Sequence, residues 1–359
     1  MLNVGVIGTG LIATLKHFPA WQRAEARGLG KVTALCDVDP ARAKEVAAKF
    51  GIPRTYTSTK EMYAAEKLDL VDICTPPKTH ARLAIEAVNA GAHVLLEKPM
   101  ATSLAECDEI MAAARKANRQ ICMAHSDLFY PAFMKAAERL QKGEIGKFRG
   151  MRIFLATPVD YITSKPDHWA HKLPGGVLGE TGPHVVYMSL AFIPTIKKVQ
   201  VHAQKLLPQF PWSPYEDYRI TLVGEEATSS IALTYTTKQW AGALELWGDD
   251  GILKADLQNQ AVVHYERDAL TPKKIGLSTL REAAGSVLTA TSAGFDFLTK
   301  RYMTTHDMLV QKFAAAVKEG QPAPVTGEQG RESIRVLDLI IAELEKDSSK
   351  TLCAASPAS

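Results

Sequence analysis

Short apolar runs alternate with helical segments through residues 1–125. The strand-like runs are continuous rather than alternating with polar residues, so both faces of each strand are expected to be covered. The alternation predicts βαβ units and a parallel sheet, with Asp39 and Ser103 as N-caps of two of the helices. The runs are NVGVIG, VTALCD, DLVDICT, AHVLLE and QICMAH.

The pattern changes after a predicted linking helix over residues 131–142, which Gly143 ends. Strand candidates then follow one another, with turn signals such as GEE and GDDG between several of them, so we expect hairpins and a mainly antiparallel sheet. Helical patterns return over residues 184–192 and 307–345. Residues 266–303 have no decisive period and fit a helical insertion, an active-site cover or a subunit contact. The strand candidates are FRGMRIFLAT, VQVHAQKL, YRITLVG, SSIALTYTT, GALELWG, GILKADL and AVVHYE.

Composition excludes several classes of protein. The chain has 359 residues and a formal net charge of +3, which suggests two domains. It lacks a basic run with interleaved aromatic residues, so we expect no nucleic-acid partner. Its apolar runs are shorter than the ~18 residues that span a bilayer, and it opens as a strand rather than as a signal peptide. The low charge and the short apolar runs also argue against a membrane partner. The five cysteines have no CxxC spacing, which favours reduced thiols in a cytoplasmic protein.

The turn after the first strand has the spacing of a dinucleotide-binding loop. Gly8, Gly10 and Ala13 form G-x-G-x-x-A between a strand and a helix. Gly8 permits the tight turn, Gly10 lets a pyrophosphate approach the backbone, and Ala13 keeps the helix close to the sheet. We assign Leu11 and Ile12 to the same site. A glycine-rich turn without a ligand would have the same pattern.

A carboxylate at the end of the second strand indicates which dinucleotide is preferred. Asp37 ends VTALCD, whereas Asp39 is explained as a helix cap. In such sites the carboxylate binds the ribose diol and repels a 2′-phosphate. Neither Val38 nor Asp39 supplies an arginine for that phosphate, so we expect NAD, with NADP left open. The alternative for Asp37 is a solvated strand end.

Four stretches together resemble the glucose–fructose oxidoreductase and inositol dehydrogenase (Gfo/Idh/MocA) family. The resemblance spans nearly the whole chain and implies an N-terminal NAD(P)-binding Rossmann domain over residues 1–125. It also implies an α+β substrate domain with a large open, mainly antiparallel sheet over residues 126–359, and association into a dimer or tetramer. The implied activity is oxidation or reduction of a carbinol or ketone carbon of a sugar, cyclitol or related polyol. The stretches are GVIGTGLIA, CTPPKTHARLAIEAVNAGAHVLLEKPMA, GGVLGETGPHVVY and FAAAVKEGQPAPVTGEQGRESIRVLDLI.

The family match gives a role to Lys98 in LLEKPMA. Ligands of a doubly wound sheet bind beyond the carboxyl ends of its strands, and this lysine directly follows such a strand. Its ammonium is expected to stabilise the alkoxide that develops during hydride transfer. Glu97 either contacts the ribose or orients Lys98. Without the family match, the sequence indicates that Lys98 is a surface lysine in a loop.

Another strand end carries the stretch CTPPKTH. Thr75, Pro76 and His80 lie where the family packs the cofactor, and we assign all three to the cofactor site. His80 fits equally well as a residue in the first turn of the next helix.

The stretch GETGPH matches the family's acid–x–Gly–x–His element. This implies Glu180 and His184 as catalytic residues, since a histidine can exchange the hydroxyl proton near neutral pH. Two positions depart from the family pattern, because Glu180 replaces an aspartate and Tyr187 stands where many members have a further aspartate. Tyr187 therefore points to a different recognition of substrate hydroxyls. Without the family match, His184 is a core histidine.

Trp169, in DHWAHK, resembles a tryptophan that the family places near the substrate, and an indole face suits a sugar ring. The neighbours His168 and His171 have no strong metal spacing, so we expect no metal. Two other functions remain open: an NAD-retaining hydrolase or lyase that uses redox transiently, and a non-catalytic sensor of sugars or dinucleotides.

Overall fold

The structure is a computed structural model that describes residues 1–265, 268–298 and 303–354. The chain divides into two compact units. The first contains residues 1–129 and 303–335, and the remaining described residues form the second. The sequence division assigned residues 303–335 to the C-terminal domain, whereas the structure places them in the first unit. The predicted boundary after residue 125 stays a prediction.

A parallel sheet forms the centre of the first unit. Its strands are β1 (Leu2–Ile7), β2 (Gly30–Cys36), β3 (Arg54–Tyr56), β4 (Leu70–Ile73), β5 (His93–Leu96) and β6 (Ile121–Met123). They lie in the order β3-β2-β1-β4-β5-β6, and every neighbouring pair is parallel. The order reverses between β1 and β4, and ligands bind at such a switch point in doubly wound sheets.

Helices connect these strands, as the sequence predicts. They are α1 (Phe18–Ala26), α2 (Pro40–Phe50), α3 (Thr59–Ala65), α4 (His80–Asn89) and α5 (Leu104–Ala117), and a π-helical segment, Ala13–His17, precedes α1. Both predicted caps are present. Asp39 accepts from the first-turn amides of α2, and Ser103 accepts from the amide of Glu106. Strand β3 and helix α3 were not predicted, since both are short and polar.

The second unit begins with α6 (Pro131–Gln141) and contains the second sheet. Its strands are β7 (Phe148–Ala156), β8 (Lys198–Gln204), β9 (Asp217–Val223), β10 (Thr228–Thr234), β11 (Ala241–Gly248), β12 (Ile252–Asp256) and β13 (Ala261–Tyr265). The order is β13-β12-β11-β7-β10-β9-β8. The pair β7–β10 is parallel and the other neighbours are antiparallel. The predicted fold class is confirmed.

The remaining helices are α7 (Val177–Leu190), α8 (Pro272–Leu298), α9 (Thr305–Glu319) and α10 (Gly327–Ala354). Helix α8 covers most of the segment whose period was indecisive, while positions 266–267 and 299–302 lie outside the described residues. Helix α9 packs on α1 in the first unit, where Arg23 pairs with Asp307 at 2.6 Å. Among the described residues, no helix is both long and apolar enough to cross a bilayer.

Candidate active site

The glycine loop follows β1 in a conformation that only glycine adopts easily. Gly8 has φ +92°, and a Cβ added there would lie 2.7 Å from the carbonyl oxygen of Cys74. A Cβ on Gly10 would meet no atom within 4 Å. The backbone next to Gly10 is therefore open, and the loop fits the pyrophosphate of a dinucleotide.

The three residues after Gly10 differ in exposure. Leu11 is 72% exposed and Ile12 is 37% exposed, whereas Ala13 is fully buried. Burial of a small residue at this position allows the close approach of helix and sheet that the fingerprint requires. The two exposed side chains lie beside the open backbone of the loop and are available to a ligand.

Asp37 contacts the glycine loop directly. Its Oδ2 accepts from the amide of Thr9 at 2.8 Å and from the Thr9 hydroxyl at 2.6 Å. Its Oδ1 accepts from the amide of Asp39 at 2.9 Å and from Arg42 Nη2 at 3.2 Å. Burial acts to raise the pKa of Asp37, but these hydrogen bonds outweigh it and lower the pKa. Asp37 thus fixes the loop and stays ionised at neutral pH.

Arg42 was missed by sequence reasoning, which examined only the two positions after Asp37. The first turn of α2 brings the arginine back to the end of β2. A residue three positions after the N-cap Asp39 is on that first turn, so the spacing was a usable signal. An arginine therefore stands beside the carboxylate that is expected to select the ribose.

The carboxyl ends of β1, β4 and β5 lie side by side. The amide of Cys74 donates to the carbonyl of Ile7 at 2.8 Å, and the amide of Glu97 donates to that of Ile73 at 3.1 Å. Lys98 follows immediately. This edge of the sheet therefore carries the glycine loop, the stretch after β4 and Lys98.

Glu97 is 7% exposed, and both of its carboxylate oxygens have partners. Oε1 lies 2.9 Å from His17 Nε2, and Oε2 accepts from the amide of Lys98 at 3.0 Å. Burial acts to raise the pKa of Glu97, but His17 lowers it to about 2. Of the two roles predicted for Glu97, these contacts support the orientation of Lys98.

His17 extends this contact into a buried ion network. Its Nδ1 lies 2.8 Å from Asp72 Oδ2, which also accepts from Trp21 Nε1 at 2.7 Å. Burial acts to lower the pKa of His17, but Asp72 raises it well above the ordinary value. Sequence analysis did not select His17 or Asp72. The usable signal was Asp72 itself, a carboxylate inside the apolar run DLVDICT, which needs a buried partner.

Two groups of side chains around His17 have the spacing of metal ligands: His17, Asp72 and Cys74, and His17, Glu97 and His306. Both nitrogens of the His17 ring, which is shared by the two groups, already face carboxylate oxygens, so His17 has no lone pair to give a metal. Burial and the neighbouring His17 lower the pKa of His306 to about 4, so His306 is neutral. The cluster is a hydrogen-bonded ion network.

The stretch after β4 contains the other three predicted cofactor residues. The hydroxyl of Thr79 donates to Thr75 Oγ1 at 2.8 Å, and the amide of Thr79 donates to the carbonyl of Pro76 at 3.0 Å. His80 is fully buried as the first residue of α4. Its ring nitrogens lie 2.8 Å from the carbonyls of Pro99 and Thr75, so they are occupied by the backbone, which supports its alternative reading as a helix residue.

In the second unit, GETGPH lies inside helix α7. Glu180 and His184 are one turn apart on the same side of the helix, and both side chains are partly exposed. Gly182 packs closely, because a Cβ there would lie 3.2 Å from Leu337 Cδ1 and would push that side chain aside by a few tenths of an ångström. Tyr187 is 2% exposed, and its hydroxyl lies 2.7 Å from His184 Nδ1. Tyr187 therefore orients His184, while its predicted contact with substrate stays a prediction.

Trp169 is 48% exposed and stacks on His168, with ring centroids 5.6 Å apart. Burial lowers the pKa of His168, and Glu180 acts in the opposite direction. His168 is thus within electrostatic reach of the predicted catalytic carboxylate. The other histidine of this stretch, His171, has its Nε2 at 3.1 Å from the carbonyl of Lys165.

Comparisons with known proteins identify the family of the chain. Residues 2–125 match the model of an oxidoreductase family with an NAD-binding Rossmann fold, and residues 133–254 match the GFO/IDH/MocA C-terminal domain. A myo-inositol 2-dehydrogenase of Thermotoga maritima is 27% identical over 342 residues, which cover 92% of each chain. An uncharacterized oxidoreductase of Synechocystis is 29% identical over 236 residues, which cover 65% of this chain and 62% of that protein.

A solved structure shows the same fold. An oxidoreductase from Agrobacterium radiobacter, in complex with NAD⁺, L-tartaric acid and magnesium, superposes with a TM-score of 0.76 at 17% identity, covering 95% of this chain and 96% of that one. The two family models together match more than half of the chain, on both sides of the change in pattern. The chain belongs to the GFO/IDH/MocA family of NAD-binding oxidoreductases.

Proposed function

We propose that the protein is an NAD-dependent dehydrogenase or reductase acting at a carbinol or ketone carbon of a sugar, cyclitol or related polyol. One observation carries the proposal. Lys98 leaves the sheet at the end of β5, on the same edge as the glycine loop after β1. Ligands bind at this edge in doubly wound sheets. The relation to a myo-inositol 2-dehydrogenase supports the substrate class.

Bound NAD would accept or supply the hydride. The Lys98 ammonium stabilises the negative charge that develops on the substrate oxygen. His184 takes the hydroxyl proton during oxidation and returns it during reduction. The contact between Tyr187 and His184 Nδ1 fixes the ring so that Nε2 exchanges the proton. Glu180, one turn before His184, hydrogen-bonds a substrate hydroxyl or the histidine.

The pyrophosphate would be held at Gly8, Gly10 and the start of the following helix, and the adenosine ribose at Asp37. Each carboxylate oxygen of Asp37 already accepts two hydrogen bonds from protein. The contact with Arg42 is the longest of the four, at 3.2 Å. A ribose hydroxyl would replace this contact at the least cost.

The test uses cofactor-stripped protein, NAD and a panel of polyols, followed by NADH absorbance. We expect turnover of at least one polyol, and a loss of about a thousandfold in Lys98→Ala and in His184→Ala. Calorimetric titration should show unchanged NAD affinity in both variants. Lys116→Ala, at an exposed lysine of α5, is the matched control and should keep full activity.

Other outcomes distinguish the alternatives. NAD that cannot be stripped, together with no net NADH, would favour transient redox in a hydrolase or lyase. Absence of NAD binding would favour a sensor. Wild-type rates in both Lys98→Ala and His184→Ala would show that the catalytic assignment is wrong.

Association with a second copy and a cytoplasmic location are further proposals. Exposed apolar side chains on helix α8 support association, since Leu280, Val287 and Leu288 are 69%, 63% and 70% exposed. Sedimentation of wild type and Leu280→Glu tests it: a monomeric variant supports the proposal, and a monomeric wild type contradicts it.

A further inference from the structure

Two buried histidines contact the chain on either side of Lys98. His17 Nε2 lies 2.9 Å from the carboxylate of Glu97, and His80 Nδ1 lies 2.8 Å from the carbonyl of Pro99. Both imidazoles are 0% exposed. Lys98 is the residue between these two points, so the chain is held immediately before and immediately after it.

The opposite nitrogens of both rings reach the β4 side of the sheet. His17 Nδ1 lies 2.8 Å from Asp72 Oδ2, and His80 Nε2 lies 2.8 Å from the carbonyl of Thr75. Asp72 is in β4 and Thr75 follows it. Each ring therefore connects β4, or the stretch after it, to the segment that carries Lys98.

These contacts begin where the backbone ladder ends. The β4–β5 register closes with Ile73 opposite Leu96, followed by the bond from the Glu97 amide to the carbonyl of Ile73 at 3.1 Å. The two histidines continue the connection beyond that bond. Glu97 also accepts from the Lys98 amide at 3.0 Å, which fixes the main chain of the lysine itself.

The two rings differ in charge. Glu97 is ionised at neutral pH because its pKa is lowered to about 2, and an ionised carboxylate only accepts. The groups that face His17 are Asp72, Glu97, Cys74 and His306, and the raised pKa of His17 keeps both ring nitrogens protonated. Burial lowers the pKa of His80, so its neutral ring carries one N–H and donates to only one of the two carbonyls, while its other nitrogen packs against the second carbonyl without a hydrogen bond.

The π-helical segment, residues 13–17, places His17 in this network. The amide of Phe18 donates to the carbonyl of Ala13, which closes a turn one residue wider than an α-helical turn. This segment starts at the last residue of the dinucleotide fingerprint. His17 therefore joins the helix that follows the glycine loop to the strand end that carries Lys98.

We propose that His17 and His80 are positioning residues that hold the segment 97–99 from both sides and thereby set the direction of the Lys98 side chain. The inference rests on the proposed function, in which Lys98 touches the substrate. A displacement of about 1 Å in such a group costs up to about a hundredfold in rate. Loss of either histidine should therefore act on the chemical step and leave NAD affinity unchanged.

The first readout needs no substrate. Full-length wild type, His17→Gln and His80→Gln are labelled with limiting acetic anhydride, and mass spectrometry compares acetylation of Lys98 with that of the exposed Lys44. We expect a several-fold change in the relative rate for Lys98 in both variants. His93→Gln is the control, because His93 begins the same strand and its Nδ1 accepts from the amide of Gln120 at 3.1 Å, at the opposite end of the strand from Lys98.

The second readout is turnover of whichever polyol wild type oxidises. In both variants kcat should fall about 10- to 100-fold, with the calorimetric Kd for NAD and the kcat of His93→Gln unchanged. If wild type oxidises no polyol, the proposed function fails while the labelling result still decides this inference. If His17→Gln does not fold, His80→Gln, which removes no charge, decides it. The proposal would be overturned if His17→Gln and His80→Gln fold and their Lys98 is acetylated at the same relative rate as in His93→Gln.

Discussion

The polar and aromatic residues of the candidate site are held in different ways in the two units. In the first unit, His17, His80 and Glu97 are buried, and each side chain contacts partners on two sides. In the second unit, Glu180 and His184 are partly exposed, and Trp169 is half exposed on a short loop helix. The first set lies in a completed polar network, whereas the second lies on an accessible helix and loop.

This difference separates two tasks. A buried ion network is expensive unless every member is paired, so any displacement of its parts is opposed and the geometry around Lys98 is fixed. Partly exposed side chains on a helix can be exchanged at small cost in stability. The first unit therefore suits a group whose position must stay fixed, and the second suits positions at which substitution is tolerated.

The largest expected effect is on stability. His17→Ala leaves the carboxylates of Asp72 and Glu97 buried without their cation and should lower the free energy of unfolding by about 3–5 kcal/mol. His184→Ala removes one neutral hydrogen bond, to the Tyr187 hydroxyl, and should lower it by about 0.5–1.5 kcal/mol. Urea denaturation of both variants, with His93→Ala as the control, measures the contrast. If His17→Ala and His184→Ala lower the free energy of unfolding equally, the residues of the first unit are not held more rigidly than those of the second.

The same network predicts a dependence of stability on pH. The folded pKa of His17 is raised above its ordinary value of 6.5, so its contribution is complete below 6.5 and is lost as pH rises through the raised pKa. The folded pKa of Glu97 is lowered from 4.5 to about 2, so its contribution is complete above 4.5 and is lost as pH falls toward 2. The network should stabilise most between pH 4.5 and 6.5.

Urea denaturation from pH 5 to 10 isolates the alkaline part of this dependence. The quantity to compare is the difference in unfolding free energy between wild type and His17→Gln, because titrating groups that do not interact with His17 cancel in it. This difference should decrease as pH rises above 6.5. A difference that is constant across the range would mean that His17 has the same pKa in the folded and the unfolded protein, and a difference that rises between pH 5 and 6.5 would mean that His17 is neutral when folded.

The fold was largely predictable because local signals agreed with tertiary structure. Asp39 before Pro40 gave the start of α2, and the continuous apolar runs gave the parallel sheet. The glycine loop was predictable for the same reason, since Gly8 is required both by its own φ and by the nearness of Cys74. Helix α8 was not predictable, because its Thr, Ser and Gly residues are weak helix formers and obscure the helical period of its apolar residues.

The buried network could not be assembled from the sequence. His17, Asp72 and Glu97 are brought together by the order of strands and by a π-helical turn, neither of which has a local signature. Asp72 alone signalled that a partner was needed. Arg42 was missed for a simpler reason, because it belongs to the first turn of α2 and not to the end of the strand that carries Asp37.

An effect of intermediate size is expected at Arg42, on the affinity for NADP. It lies beside Asp37 at 3.2 Å with its side chain 48% exposed, so it can turn toward a ribose 2′-phosphate. Arg42→Ala should weaken NADP binding about tenfold or more, the value of one charge-assisted hydrogen bond, and leave NAD binding unchanged. Calorimetry with both cofactors measures this, with Arg115→Ala on α5 as the control. Equal loss of affinity for NAD and NADP would contradict the assignment to the phosphate.

The smallest effect is expected at Tyr187, the buried partner of an accessible histidine. Tyr187→Phe removes one neutral hydrogen bond to His184 Nδ1, worth about 0.5–1.5 kcal/mol, so kcat should fall by up to about tenfold and its pH profile should shift. Tyr218→Phe is the matched control, since that hydroxyl donates to the carbonyl of Tyr215 at 3.1 Å in the same unit. An unchanged pH profile in Tyr187→Phe would show that the tyrosine only packs. If kcat falls further in Tyr187→Phe than in His80→Gln, the rate depends more strongly on the orientation of His184 on helix α7 than on that of Lys98 in the first unit.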